Sequence, residues 1–303
     1  MSLKITKADD PITVNRLNVC VYGQPGAGKT SLAFTADAPL LLDFDMGSHR
    51  AANRKDTVRV GAWGDVVNIG EQDLTDYKTV VVDTAGRALD LLTADIIRRN
   101  PKLGRGGALT LQGYGALKAE FTAWLKLLNG FGKDVILIAH MDEQRNGDDI
   151  IERLDVQGGS KGEIYKAADA MGRLAIRNGA RTLNFNPTDA AFGKNPGRLD
   201  ALEVPTPEKD PAFLADVIQS IKDRLNELTE TQREAQAAME KWRVTIADLQ
   251  CAEDFNGMLA KVKDEPKAVQ ALFAHAATEC GLTYDKKAKV YADPVNEPEQ
   301  AAA

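Results

Sequence analysis

The sequence predicts an α/β protein: a domain on a mostly parallel central sheet, followed by a smaller α-helical region. Short apolar, β-branched runs alternate with helical patterns as far as residue 186. Several of those runs are apolar on both faces, as strands are when helices cover both sides of a sheet. From Pro211 onward the pattern turns almost wholly helical.

The strand-like runs are, in order, NVCVYG, PLLLDFD, TVRV, KTVVVDT, DVILIAH, GRLAI and RTLNFN. Between them, helices are expected to start near Lys29, Arg87 and Gly115. In the last of these, GALKAEFTAWLKLLNGF, Leu117, Phe121, Trp124, Leu125 and Leu128 fall at helical spacing and mark a core-facing stripe. NPTDAAFGKNPGRLDALEVPTPEKDP is rich in Pro, Gly and Asp and reads as loop. PAFLADVIQSIKDRLNEL and a polar, Ala-rich TETQREAQAAMEKW come next, then TIADLQCAEDFNGMLAKVKD and PKAVQALFAHAATECG. The last has Pro at its start and Gly281 just past its end, the usual punctuation of a helix. The acidic end, ADPVNEPEQAAA, is expected to be disordered. A boundary near residue 228 divides a core, 1–228, from a helical region, 229–303, and no internal repeat is evident.

With 44% hydrophobic and 27% charged residues, the chain has the composition of a globular protein able to bury a core. No apolar run nears the roughly 20 residues of a membrane helix, and MSLKITKADDPITVNR lacks the apolar segment of a secretory signal. Cys20, Cys251 and Cys280 are too scattered for a disulfide framework or zinc site, so a reducing cytoplasm is expected. The formal charge of −6 means that nucleic acid would have to meet a local basic patch.

Gly23-Gln24-Pro25-Gly26-Ala27-Gly28-Lys29-Thr30, followed by Ser31, is a complete G-x-x-x-x-G-K-T phosphate loop between a strand and a helix. Its glycines let backbone N–H groups turn inward around phosphates, and the helix start adds positive charge. Lys29 is placed to reach the β- and γ-phosphates, and the Thr30 hydroxyl to bind Mg²⁺. Asp83, ending an apolar strand, is the expected metal partner; the alternative is that it caps the helix starting near Ala85.

Asp83-Thr84-Ala85-Gly86 also has the D-x-x-G form of GTP-hydrolysing switches. No N/T-K-x-D element follows a later strand, so the reading goes to ATP. Asp43 and Asp45 end a strand two residues apart, which puts both on one face, and either could act as general base. His140, at the tip of the strand after the metal strand, is a candidate γ-phosphate sensor. His49 and His275 have no such context.

In their order, VYGQPGAGKTSLA, LLLDFDMG, VVVDTAGR, QGYGALKAEF and VILIAHMDEQ resemble the RecA-like ATPases of bacteriophage recombination, in particular the short Sak-type single-strand annealing group. The resemblance covers roughly residues 16–200. It implies a RecA-like P-loop core, with Asp45 in the position of the water-activating carboxylate. That family more often has Glu there, and RecA itself has glutamine at the His140 position. The resemblance further implies ATP held between subunits of a homo-oligomer, ring or filament. A basic residue would then be supplied in trans, with Lys194 and Arg198 the candidates. For a phage-encoded protein the compartment would be the host cytoplasm, and a single-strand-binding protein a possible partner.

Arg98, Arg99, Lys102, Arg105 and Lys118 form a stretch with no acid between Arg98 and Lys118. Its glycines predict mobility, and Tyr114 offers a stacking face. That combination suits single-stranded DNA. A second loop, after His140, contributes Arg145, Arg153 and Lys161 among more numerous acids. The functional expectation is a Mg²⁺-dependent, DNA-stimulated ATPase that promotes annealing or strand pairing. Two alternatives stay open: an ATP switch or motor acting on protein partners, and a small-molecule kinase.

Overall fold

The computed structural model describes residues 13–146, 149–156 and 161–293. β1 (Asn18–Gly23) passes through the glycine-rich loop into α1 (Lys29–Ala33), and β2 (Pro39–Asp43), β3 (Thr57–Arg59) and β4 (Thr79–Asp83) follow. Next come α2 (Ala85–Arg99), a small hairpin of β5 (Gly104–Arg105) and β6 (Ala108–Leu109), and α3 (Leu111–Gly130). β7 (Asp134–Asn146), β8 (Asp149–Leu154), α4 (Lys161–Ala167), β9 (Ala170–Arg177), β10 (Ala180–Asn184) and β11 (Leu202–Glu203) complete the sheet region. The remainder is α5 (Phe213–Ala247), α6 (Ala252–Val262), α7 (Lys267–Glu279) and a hairpin of β12 (Thr283–Asp285) with β13 (Val290–Ala292).

The main sheet has the order β11-β10-β9-β1-β7-β4-β2-β3, with β8 attached to β7. Neighbours from β9 to β3 are parallel, and β10 and β11 close one edge antiparallel. The strand runs look apolar throughout because both faces are covered. Val19, Val21, Leu41, Val81, Ile136 and Ile138 point to one side, where α1 and the first half of α5 supply Leu32, Ala33, Leu214, Val217 and Ile221. Their neighbours Cys20, Tyr22, Leu42, Val80, Val82 and Leu137 point to the other, against α2 and α3. There the predicted stripe Leu117, Phe121, Trp124, Leu125 and Leu128 is buried as expected. Trp124 packs edge-on against Trp63, centroids 5.1 Å apart, and its indole N–H donates to the Val66 carbonyl at 3.1 Å.

Several expectations need correction. α3 begins earlier than the apolar periodicity suggested, because Thr110 caps it by accepting from the amide of Gly113; α2 begins at Ala85, where Thr84 caps it by accepting from the amide of Arg87. The stretch after His140 is not a loop: β7 runs on past it and pairs antiparallel with β8. The glycine-containing stretch 101–109 forms a 3-10 turn and the β5–β6 hairpin.

The described residues pack as two units, 13–226 and those from Glu227 onward. The expected division near 228 falls inside the continuous helix α5, not in a linker. In the second unit Trp242, Phe255, Val269, Phe273 and Leu282 form a separate core. The β12–β13 hairpin was not anticipated there. The tail expected to be disordered lies, after Asp293, outside the described residues.

Candidate functional site

Parallel pairing brings the chemistry-bearing residues to one edge of the sheet. In register, Gly23 sits beside His140 and Asp43 beside Asp83; Gly23, Asp43 and Asp83 end their strands, and His140 is the last residue of β7 to pair with β1. There a cavity of about 350 Å³ is lined by Gly26, Gly28, Lys29, Thr30, Ser31, Asp45, Arg50, Asp83 and His140, among others. Gly26 and Gly28 have φ of 79° and 89°, the left-handed turns that aim the loop's amides inward.

Lys29 is buried, and its ammonium donates to the carbonyls of Gly23 and Gln24, both at 2.9 Å. Burial pushes its pKa down to about 8, a shift that the charges of Asp83 and Asp45 partly oppose. Nδ1 of His140 lies 3.3 Å from the Lys29 ammonium. An ammonium has no lone pair, so Nδ1 is the acceptor and the neutral ring carries its proton on Nε2. Burial, and then the Lys29 charge, hold the imidazole below its usual pKa. Nε2 points to the Asp45 carboxylate, 4.0 Å away.

Asp43 and Asp45 do not share a face, because β2 ends at Asp43 and the alternation ends with it. The Asp43 carboxylate is buried and accepts the amides of Gly47 and Ser48, both at 3.0 Å, holding the turn that follows. Asp45 instead reaches the cavity, with Arg87 at 3.5 Å and Arg50 at 3.8 Å. The sequence reading missed both arginines. Arg50 carried no signal beyond lying five residues past Asp45, and Arg87 was visible only as the residue following DTAG.

Asp83 accepts a hydrogen bond from the Thr30 hydroxyl at 2.7 Å, and burial raises its pKa to about 6. The helix-capping role falls to Thr84. Gly86 lies in the first turn of α2, so D-x-x-G forms no switch loop here. One hydroxyl and one carboxylate of hard oxygens, with no further cluster of metal-ligating side chains among the described residues, suit Mg²⁺, which takes its other ligands from phosphates and water. Thr30 and Asp83 are the residues that would hold it.

The basic residues are dispersed. Arg98 and Arg99 both pair with Asp95, at 2.6 and 2.7 Å, and Arg99 also with Glu120. Lys102 and Arg105 are exposed on the 3-10 turn and the hairpin. Tyr114, 36% exposed, and Leu111, 90% exposed, lie in the first turn of α3, beside Lys118, which faces Glu163 at 3.5 Å. Arg153 stacks over the Phe192 ring at 4.6 Å. Arg145 lies in β7, and its side chain, like that of Lys161, is outside the described residues. Lys194 does not stand free as expected: its ammonium donates to the carbonyls of Tyr165 and Ala168 at the end of α4. Arg198 is exposed.

No helix among the described residues is long and apolar enough to cross a membrane. No curated protein matches the chain. Among solved structures, one described as a prototypical ATPase from the type III secretion system of pathogenic bacteria aligns at 12% identity and a TM-score of 0.35. The alignment covers 52% of this chain and 52% of that one, so the chain spans about half its length. A family model described as AAA domain (AAA_24) matches residues 15–196, more than half of the chain. With its phosphate loop, parallel sheet and strand-end carboxylates, the chain belongs to this AAA domain family of P-loop ATPases.

Proposed function

We propose that the protein is a Mg²⁺-dependent ATPase that assembles on single-stranded DNA and promotes annealing or strand pairing, with ATP as the assembly switch. Lys29 moves from the Gly23 and Gln24 carbonyls to the β- and γ-phosphates. Asp45 accepts the proton of the attacking water, and the Nε2–H of His140 orients that carboxylate or the water between them. Thr30 and Asp83 would hold Mg²⁺, which would supply positive charge to offset that of the phosphates. In an oligomer Arg198 supplies a cation to the neighbouring copy's nucleotide.

The observation that carries the DNA reading is the path of α2. Its first turn follows Asp83 and places Arg87 on Asp45; its far end leads into the segment bearing Lys102 and Arg105, next to Tyr114. Strand binding on that surface would thus bear directly on the group proposed to activate water. The very exposed Leu111 favours a second reading, an ATP switch acting on a protein partner.

The test is binding of a single-stranded oligonucleotide at rising salt. Contacts from Lys102, Arg105 and Lys118 predict a log–log slope of about −0.7 per phosphate, and Tyr114→Ala should weaken binding by about 1–3 kcal/mol. A slope near zero removes the DNA surface and leaves the protein-partner reading.

A further inference from the structure

We propose that Arg181, on β10, holds the α-phosphate of the nucleotide bound in its own protomer. The inference rests on the nucleotide site proposed above. A β-carbon built on Gly28 would stand 2.8 Å from Nη1 of Arg181, 3.8 Å from its Cδ and 3.9 Å from its Cζ. The guanidinium therefore lies against the phosphate loop at the residue before Lys29, and fills the space that glycine leaves open. Arg181 has no ion pair among the described residues; the exposed Glu208 only feels its charge. A guanidinium beside an anion-binding loop, with no carboxylate bound to it, is a ready fork for phosphate oxygens.

The sheet order decides which phosphate. Asp83 on β4 and His140 on β7 lie on one side of β1, and with Asp45 they mark the γ-phosphate end. Arg181 lies two strands away on the other side of β1, away from that end, and reaches the cavity wall at Gly28. Its backbone is fixed between two strands: Arg181 pairs with Ile176 of β9, and its carbonyl accepts the amide of Val204. That pairing fixes the backbone from which the side chain reaches Gly28.

ATP and ADP share the α-phosphate, which gives the proposal its signature. Dissociation constants for Mg-ATP and Mg-ADP, measured by calorimetry on the full chain, should both rise by about tenfold in Arg181→Ala, equivalent to about 1.4 kcal/mol. Arg181→Lys should recover part of that loss. At saturating ATP, kcat should stay at the wild-type value while KM rises, and thermal unfolding of the nucleotide-free protein should not move. Should Arg181→Ala fold poorly, Arg181→Gln carries the same comparison. Unchanged affinities overturn the proposal, as does a loss confined to ATP or a fall in kcat at constant KM. A wild-type chain that binds neither nucleotide overturns the site and the proposal together. Wild-type binding with an unaffected variant overturns Arg181 alone.

Discussion

Raising the pH from 7 to 9 should weaken nucleotide binding about tenfold through one group, Lys29. Burial brings its ammonium down to about 8 from the ordinary 10.5. At pH 7 the free protein holds the lysine charged, whereas at pH 9 about nine molecules in ten hold it neutral. Phosphate oxygens in contact with Nζ favour the ammonium, so the pKa of the complex is higher than that of the free protein. Binding at pH 9 therefore takes up close to one proton, at a cost of about 1.4 kcal/mol for each pH unit above the free-state value. Affinity is full below about 8 and falls as the pH rises towards the pKa of the complex. Calorimetry with Mg-ADP at pH 7, 8 and 9, each in two buffers of different ionisation heat, gives the constant and the proton count independently. Equal affinity across the range, or no buffer dependence at pH 9, would refute the account of Lys29 as a buried lysine waiting for phosphate.

Other outcomes follow from the same geometry. Burial raises Asp83 to about 6 and a cation favours the carboxylate, so Mg²⁺-dependent ATP affinity should be present above that value and lost as the pH falls through it. A Mg²⁺ effect equal at pH 5 and 7.5 contradicts this. Asp45→Ala should keep ATP binding and lose turnover. Asp43→Ala leaves the Gly47 and Ser48 amides without their acceptor and should cost about 1–3 kcal/mol in urea unfolding. Normal turnover in Asp45→Ala, with none in a folded Asp43→Ala, would reverse the assignment of the base. Trp124→Ala removes a ring packed between Trp63, Phe121 and Phe44 and should cost about 3–5 kcal/mol. A loss below about 1 kcal/mol would mean that this core is far looser than its contacts imply.

The sheet was legible because its strands are buried on both faces, which leaves a mark on every residue of NVCVYG, PLLLD and TVVVD. The phosphate loop was legible because glycine spacing and lysine report backbone geometry directly. That Lys29, Thr30, Asp45, Asp83 and His140 line one cavity followed from each lying where parallel pairing ends or just after it. Long-range partners were not legible. Nothing near Arg98 and Arg99 in the linear pattern between residues 98 and 118 revealed Asp95, one helical turn upstream, or Glu120 across on α3. Nothing near Lys194 pointed to the end of α4, or near Arg181 to Gly28. The ribbon after His140 was read as loop because its strands are polar, and polar alternation in an antiparallel pair looks like a charged loop until the pairing is seen.

The proposed coupling of nucleotide turnover to strand binding through α2 can be read from the ATP hydrolysis rate with and without a single-stranded oligonucleotide, with Lys29→Ala as the blank. Clear stimulation is expected in the wild-type chain and none in Arg87→Ala, which lacks the contact between α2 and Asp45. Turnover that ignores DNA would contradict it, and would leave an ATPase whose effector is a protein or a small molecule.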